Sequence, residues 1–382
     1  MTDGETFLLV FVLIYLSDCL VWLPRSGYAL VAYWGKRFVV RRAAVHFNAL
    51  HKGFAVLQPL PPFGTVFVGS SWPVSPGIDG LAPFSRENPN PGQAIPPQPG
   101  ASFLTWEVIE SIRAEENRLL VNGRTFATCA TAAAAIVLAK DLDRIRRCPK
   151  TERLAAIERI VARNLNDRRA SRRARFFRDA TAPLRMTVCV LFVAVFALVP
   201  FSYWRFHDEP RFFLTLGAVW ILMWQATIEF WRLHRRLYPR LSAARWQHAI
   251  LSLLFPHYAI RSLDVLSKGF LAETHPTALA AALSAPDEWS RLACKVRRDA
   301  QFPIPFVNDE AQAQETAESF RSDFFLPALS RLIDRRVGTD SDSDTTRETP
   351  QAECPRCGTA YERAGLPCGD CGGILTIPAN DH

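Results

Sequence analysis

Lysine is scarce in this 382-residue chain, with 6 residues against 39 arginines, a bias that points to a GC-rich genome. Histidine is thin as well. Its 8 residues are dispersed, and His46 and His51 share a region without an obvious third ligand beside them. No HExxH, P-loop, GxSxG or GxGxxG pattern occurs, so the usual signatures of zinc proteases, nucleotide-binding enzymes, α/β-hydrolases and dinucleotide enzymes are missing. The nine cysteines are too scattered for a disulfide framework, and only Cys354, Cys357, Cys368 and Cys371 are spaced as a set. Long hydrophobic runs are few. Hydrophobic residues make up 49% of the chain, ordinary for a soluble protein and low for one embedded throughout, which confines membrane residence to a few segments.

Three segments approach the ~20 apolar residues that a hydrocarbon core about 30 Å thick requires. They are residues 6–24, interrupted by Asp18; residues 186–204, uncharged between Arg185 and Arg205; and residues 212–231, with Glu229 near the end. Only "RFHDEPR" separates the second from the third, which predicts a helical hairpin. The first segment has Asp3 and Glu5 in place of a basic n-region. Pro24 and Arg25 follow it where a cleavage site would need small residues, so it reads as an uncleaved anchor. The Ala-rich run from Ala127 to Ala139 is too short to span and reads as a buried helix of the soluble part.

Arginine and lysine near the membrane ends set the orientation. None precedes the first segment, whereas Arg25, Lys36, Arg37, Arg41 and Arg42 follow it. Seven arginines lie between Arg163 and Arg178, just before the second segment, and Arg232, Arg235, Arg236, Arg240 and Arg245 follow the third. The hairpin loop offers only Arg205 and Arg211. The expected topology places the N-terminus outside, residues 25–185 in the cytoplasm, the short loop outside and residues 232–382 in the cytoplasm. The net charge of +8 is then read as topology. The Arg163–Arg178 run is held by anionic lipid rather than nucleic acid.

Between and after the spans the pattern changes. Residues 25–128 are expected to form a β-rich cytoplasmic domain with a Pro-rich insert at 87–100, because proline lacks the N–H that a sheet ladder needs. "NRLLVNGRTFATC" places Asn122 and Gly123 between two apolar runs, the signature of a type I′ hairpin. Residues 129–185 read as cytoplasmic helices, with Thr151 as an N-cap. Residues 232–337 read as a second helical region. Within it, residues 248–271 are broken by Pro256 and carry Arg261, Asp264 and Lys268, an amphipathic pair rather than a fourth span. Residues 338–352 are polar and aperiodic, a disordered linker. Their alternating aspartates do not make a calcium loop, since Thr345 stands where glycine is needed and Gln351 where the final glutamate belongs.

The linker leads to residues 353–378 and the sequence "CPRCG…CGDCG". Two CxxC turns present two thiolates each, and a hairpin between them can complete a tetrahedron. Glycine after each second cysteine, Gly358 and Gly372, permits a left-handed turn. This stretch resembles the zinc-ribbon superfamily, with its rubredoxin-type knuckles, over about 20 residues. The resemblance implies one structural zinc per chain on Cys354, Cys357, Cys368 and Cys371, and it implies no activity. Iron, a redox dithiol pair or no metal are the other readings of the same spacing. In the reducing cytoplasm such a quartet holds metal more often than disulfides.

Asp18 is the remaining candidate, because an acid inside a span is expensive unless paired. It reads as an ion-pair or hydrogen-bond lock between the first helix and the hairpin, with proton or ion transport as the alternative. The layout also resembles uncharacterised bacterial multi-pass membrane proteins. The expectation is an α+β integral membrane protein of the bacterial inner membrane. Three transmembrane helices (an N-terminal anchor plus a helical hairpin) carry a β-rich cytoplasmic domain, cytoplasmic helices and a small C-terminal zinc ribbon. Its expected role is that of a non-enzymatic membrane-anchored adaptor or regulatory protein whose tail contacts a protein partner. A subunit of a membrane enzyme or transport system is the alternative.

Overall fold

The computed structural model describes residues 4–7, 9–11, 13, 14, 27–33, 36–42, 53–57, 67, 72–83, 102–129, 132–206, 209–238, 241–284, 286–300, 311–337, 352–354, 360–368 and 374–378. The described residues between 4 and 14 are helical (α1). Strand β1 (Gly27–Tyr33) pairs antiparallel with β2 (Lys36–Arg42) and parallel with β3 (Gly53–Leu57). A second small sheet joins β4 (Val74–Pro76), β5 (Gly80–Pro83) and β6 (Leu104–Thr105). Gly80 is obligatory there, because a Cβ at this position would lie 2.2 Å from the Leu104 carbonyl oxygen.

A third sheet is the meander β7 (Ile112–Glu115), β8 (Arg118–Val121) and β9 (Arg124–Thr128). The β8–β9 turn takes φ of +50° at Asn122 and +76° at Gly123, the two positive values a type I′ hairpin needs. Asn122 also works outward. Its Oδ1 accepts from the Glu110 and Ser111 N–H groups at 2.8 and 3.1 Å, and its Nδ2 donates to the Val108 carbonyl at 2.8 Å.

The rest of the body is helical, so the fold is mostly helix with small sheets. Helix α2 (Ala132–Arg147) lies on the meander, and the small side chains of Ala133, Ala134 and Ala135 let it approach closely. The Ala-rich run is therefore divided: Ala127 lies in β9, held by hairpin pairing, and Ala132–Ala135 open α2. Helix α3 (Lys150–Asn164) is capped by Pro149, whose carbonyl accepts from Glu152 N–H at 2.9 Å. Thr151, expected as the cap, sits inside the first turn because Pro149 already supplies the extended cap geometry. Helix α4 (Asp167–Ala180) has Asn166 as a true side-chain cap, accepting from Arg169 N–H at 2.9 Å.

Among the described residues, two helices are long and apolar enough to cross a membrane. The first, Ala182–Phe206, comprises α5 (Ala182–Val193), a π-helical turn (Ala194–Leu198) and α6 (Val199–Phe206). The second is α7 (Pro210–Leu237). The 25 residues of the first reach about 37 Å, more than a hydrocarbon core needs. The π turn has a local cause: Pro200 lacks an N–H and its ring would clash with the carbonyl four residues back, so the helix widens just before it.

Beyond them come α8 (Ser242–Leu254), α9 (Pro256–Ile260), α10 (Ser262–Lys268), α11 (Pro276–Leu283), α12 (Pro286–Ala300), α13 (Ala311–Ser319) and α14 (Leu326–Val337). A second π turn at Phe320–Phe325 precedes Pro327 for the same reason. Residues 248–271 fall into three short helices broken at Pro256 and Arg261, and Arg261 is paired internally with Asp264 at 2.8 Å. The core that unites these elements centres on Phe177, whose ring meets Phe67 and Phe270 at 5.5 and 5.0 Å, and on Trp72 against Phe320 and Phe325. Among the described residues α1 lies along the first long helix and antiparallel to it. Gly4 abuts the Tyr203 ring, and the Phe11 ring is 5.4 Å from Phe196.

Candidate metal centre

The tail folds into two small sheets. Strand β10 (Ala352–Glu353) pairs antiparallel with β11 (Ala360–Tyr361) and with β14 (Ile377–Pro378), while β12 (Pro367–Cys368) pairs with β13 (Ile374–Leu375). Residues 354–359 thus connect the first hairpin, whose last rung is Glu353↔Ala360. Residues 369–373 connect the second, whose last rung is Cys368↔Ile374. Each CxxC pair starts where a hairpin turns.

Cys354 and Cys368, the leading cysteines of the two pairs, are fully buried and form one small core with Tyr361 packed against it. The clasp between the hairpins is Thr376, also buried. Its Oγ1 accepts from the Leu366 N–H at 3.0 Å and donates to the Arg363 carbonyl at 3.1 Å, while its N–H donates to the Leu366 carbonyl at 2.9 Å. Gly365 stands in the same turn at φ +84°, and its N–H donates to the Thr376 carbonyl at 2.8 Å. The pattern of cysteines did not reveal Thr376. The isolated glycine in "ERAGLP" was the only local sign of that turn.

Two buried sulfurs delivered from separate hairpins fit half of a tetrahedral thiolate site. Their expected co-ligands, Cys357 and Cys371, lie outside the described residues, as does Asp18. Among the described residues no group of three or more metal-ligating side chains is assembled.

The arginine run resolves into two faces of α4. Arg168, Arg172, Arg175 and Arg178 are exposed. Arg169 and Arg173 turn inward onto Glu273, which sequence reading missed: Arg169 Nη2 lies 3.0 Å from its carboxylate, and Arg173 pairs with the same oxygen and stacks on Phe270. Arg163 pairs with buried Asp141. Asp167, at the start of α4, receives Arg336 at 2.8 Å and Arg335 at 3.7 Å from the end of α14. Burial alone would raise the Glu273 carboxyl, but Arg173 and Arg169 outweigh it and hold the group below the usual carboxylate range. At Asp141 burial wins, and the carboxyl is pushed up in spite of Arg163.

In the hairpin, Ser202 and Thr215 hydroxyls meet at 3.0 Å, and Gln225 Nε2 donates to Thr187 and to Glu229, both at 3.3 Å. Glu229 thereby belongs to a polar bridge between the two helices. The chain matches no protein-family model, no curated protein and no solved structure.

Proposed function

We propose that this chain is a multi-pass protein of a bacterial inner membrane, acting as a non-enzymatic adaptor with a cytoplasmic zinc-binding tail. The observation that carries the membrane reading is the surface of the two long helices. A core helix of a soluble protein is mostly buried, yet the apolar windows here are only 33% and 22% buried. Met186, Val190, Val193, Phe201 and Trp204 on one helix, and Phe213, Leu214, Trp220, Ile221 and Trp224 on the other, all face outward. An apolar surface of that extent needs a hydrocarbon phase around it. The segment at 6–24 is read as the third span, since α1 runs beside the first long helix and shows Phe7, Val10 and Leu13 to the exterior.

In this reading the arginines after each span hold residues 25–185 and 232–382 in the cytoplasm. The exposed face of α4 meets anionic lipid. The tail is a ribbon whose four cysteines hold one structural zinc, with a protein partner at the tail as its target. Zinc suits the tail's size. About 25 residues bury too little apolar surface to fold alone, so ligation must supply the folding free energy. The test is on the full-length protein. Reporters fused after residues 180 and 382 should report the cytoplasm and one within 205–211 the exterior. Purified protein should carry one zinc per chain, lost in Cys354→Ser and Cys368→Ser while the membrane-bound body stays folded. An exterior signal from the C-terminal fusion, or wild-type protein without metal, would overturn the respective half of the reading.

A further inference from the structure

Among the described buried arginines, Arg245 stands without an acid. It sits on the inward face of α8 with only 8% of its surface exposed, together with His248 and Ser252. Its Nε and Nη1 are enclosed without a hydrogen-bond partner, and no carboxylate among the described residues forms an ion pair with it. Nη2 is the one guanidinium nitrogen not so enclosed. The guanidinium lies 5.1 Å from the centre of the Trp231 ring, and Trp231 packs at 4.4 Å against Trp246. His234, one turn beyond Phe230 on α7, also has a buried, unpartnered Nδ1 and offers no negative charge. A cation enclosed this way is costly until an anion reaches it. Arg169 and Arg173, with Glu273 between them, show how this fold pairs a buried cation when it uses its own residues.

The position indicates where the anion comes from. On α7 the outward apolar residues Trp220, Trp224 and Ile228 lead down to Trp231, and on α8 the exposed residues Trp246, Ile250 and Leu254 continue the same kind of surface. Tryptophan and arginine together at the end of an apolar belt belong at the headgroup level of a bilayer. We propose that Arg245, framed by Trp231 and Trp246, binds the phosphate of one anionic phospholipid of the cytoplasmic leaflet. This rests on the membrane reading above and makes α8 an interfacial helix with a specific lipid site, apart from the exposed face of α4.

The experiment uses full-length protein in nanodiscs of phosphatidylcholine alone or of phosphatidylcholine with phosphatidylglycerol, with retained lipid counted by native mass spectrometry. Wild type should retain phosphatidylglycerol over phosphatidylcholine by about fivefold, the preference one cation confers at a membrane surface. Arg245→Met should bring the ratio close to one, Arg245→Lys should keep most of it, and the paired change Arg172→Met with Arg175→Met should leave it intact. An unchanged ratio in Arg245→Met, or one abolished by the α4 changes instead, overturns the site. Inorganic phosphate that stabilises wild type in phosphatidylcholine as much as phosphatidylglycerol does would make the occupant a free anion and overturn the lipid assignment. If Arg245→Met does not fold, wild type that sheds both lipids equally fast decides against the proposal. Release of wild type from membranes by alkaline carbonate would sink the membrane reading itself, whereas an integral protein with no lipid preference at Arg245 sinks only this inference.

Discussion

Glu273→Gln isolates the electrostatic lock between α4 and the segment before α11. The carboxylate and Arg173 are 8% and 3% exposed, and Arg169 closes the other side. The substitution keeps shape and one acceptor oxygen but leaves two enclosed cations without a counter-charge. Breaking a buried pair by removing one partner costs about 3–5 kcal/mol. Glutamine's residual hydrogen bond puts the expectation near 3 kcal/mol, or roughly 6–12 °C in midpoint for a domain of this size. The comparison variant is Asp167→Asn, whose partners Arg335 and Arg336 are 44% and 36% exposed, so solvent screening should limit its cost to about 1 kcal/mol. The acid dependence has a definite sign. Because the folded-state pKa of Glu273 is depressed, its contribution is complete above the unfolded carboxyl value of about 4.3 and fades as pH falls through the folded one. The gap between wild type and Glu273→Gln should therefore be widest at neutral pH and narrow below pH ~4. Thermal unfolding in detergent, followed by circular dichroism at several pH values, reads both. A gap smaller than that of Asp167→Asn, or one that widens on acidification, would refute the lock.

Other expectations follow from single positions. Asn122→Ala should cost about 2–3 kcal/mol, because it loses three hydrogen bonds and places alanine at positive φ, whereas Asn122→Asp, which loses only the donation to Val108, should cost about 1 kcal/mol; equal losses in denaturant titrations would contradict the role given to the amide. Gly80→Ala should force β5 and β6 apart and lower stability by more than ~2 kcal/mol, while Gly217→Ala, with nothing within 4 Å of its Cβ, should be neutral or better; similar unfolding midpoints would show that β6 simply moves. Asp18→Asn should lower the yield of folded protein more than any transport-like activity, and normal accumulation with loss of a proton-linked phenotype would reverse that reading.

What the sequence disclosed was local. The two long helices were legible because uncharged apolar runs of this length have few other fates, although the helices extend several residues beyond the runs, to 182–206 and 210–237. The Asn122-Gly123 turn was legible because positive φ restricts residue choice. In the tail Cys354 and Cys368 meet in one small core, while Cys357 and Cys371 lie outside the described residues. Partners far along the chain were not legible. Glu273 stands 100 and 104 residues from Arg173 and Arg169, and no periodicity links them. A run of arginines reads as a surface feature until the fold supplies an acid, which is why the inward half of α4 was missed. Arg245 was hidden for the converse reason, since one of five arginines after a span looks like any other topology signal.

These pairings also tie the end of α14 to the two long helices. Helix α4 runs into α5 through Thr181, whose Oγ1 donates back to the Phe177 carbonyl at 2.7 Å, so the body continues into the hairpin without a free joint. Asp167 draws the end of α14 to the start of that same helix through Arg335 and Arg336. The end of α14 is therefore fixed to the start of α4, about 20 Å along the α4 axis from the first long helix, by the rise of 1.5 Å per residue. Under the adaptor reading proposed above, lengthening the chain between α14 and β10 should weaken the effect of a tail-bound partner without changing its binding to the tail.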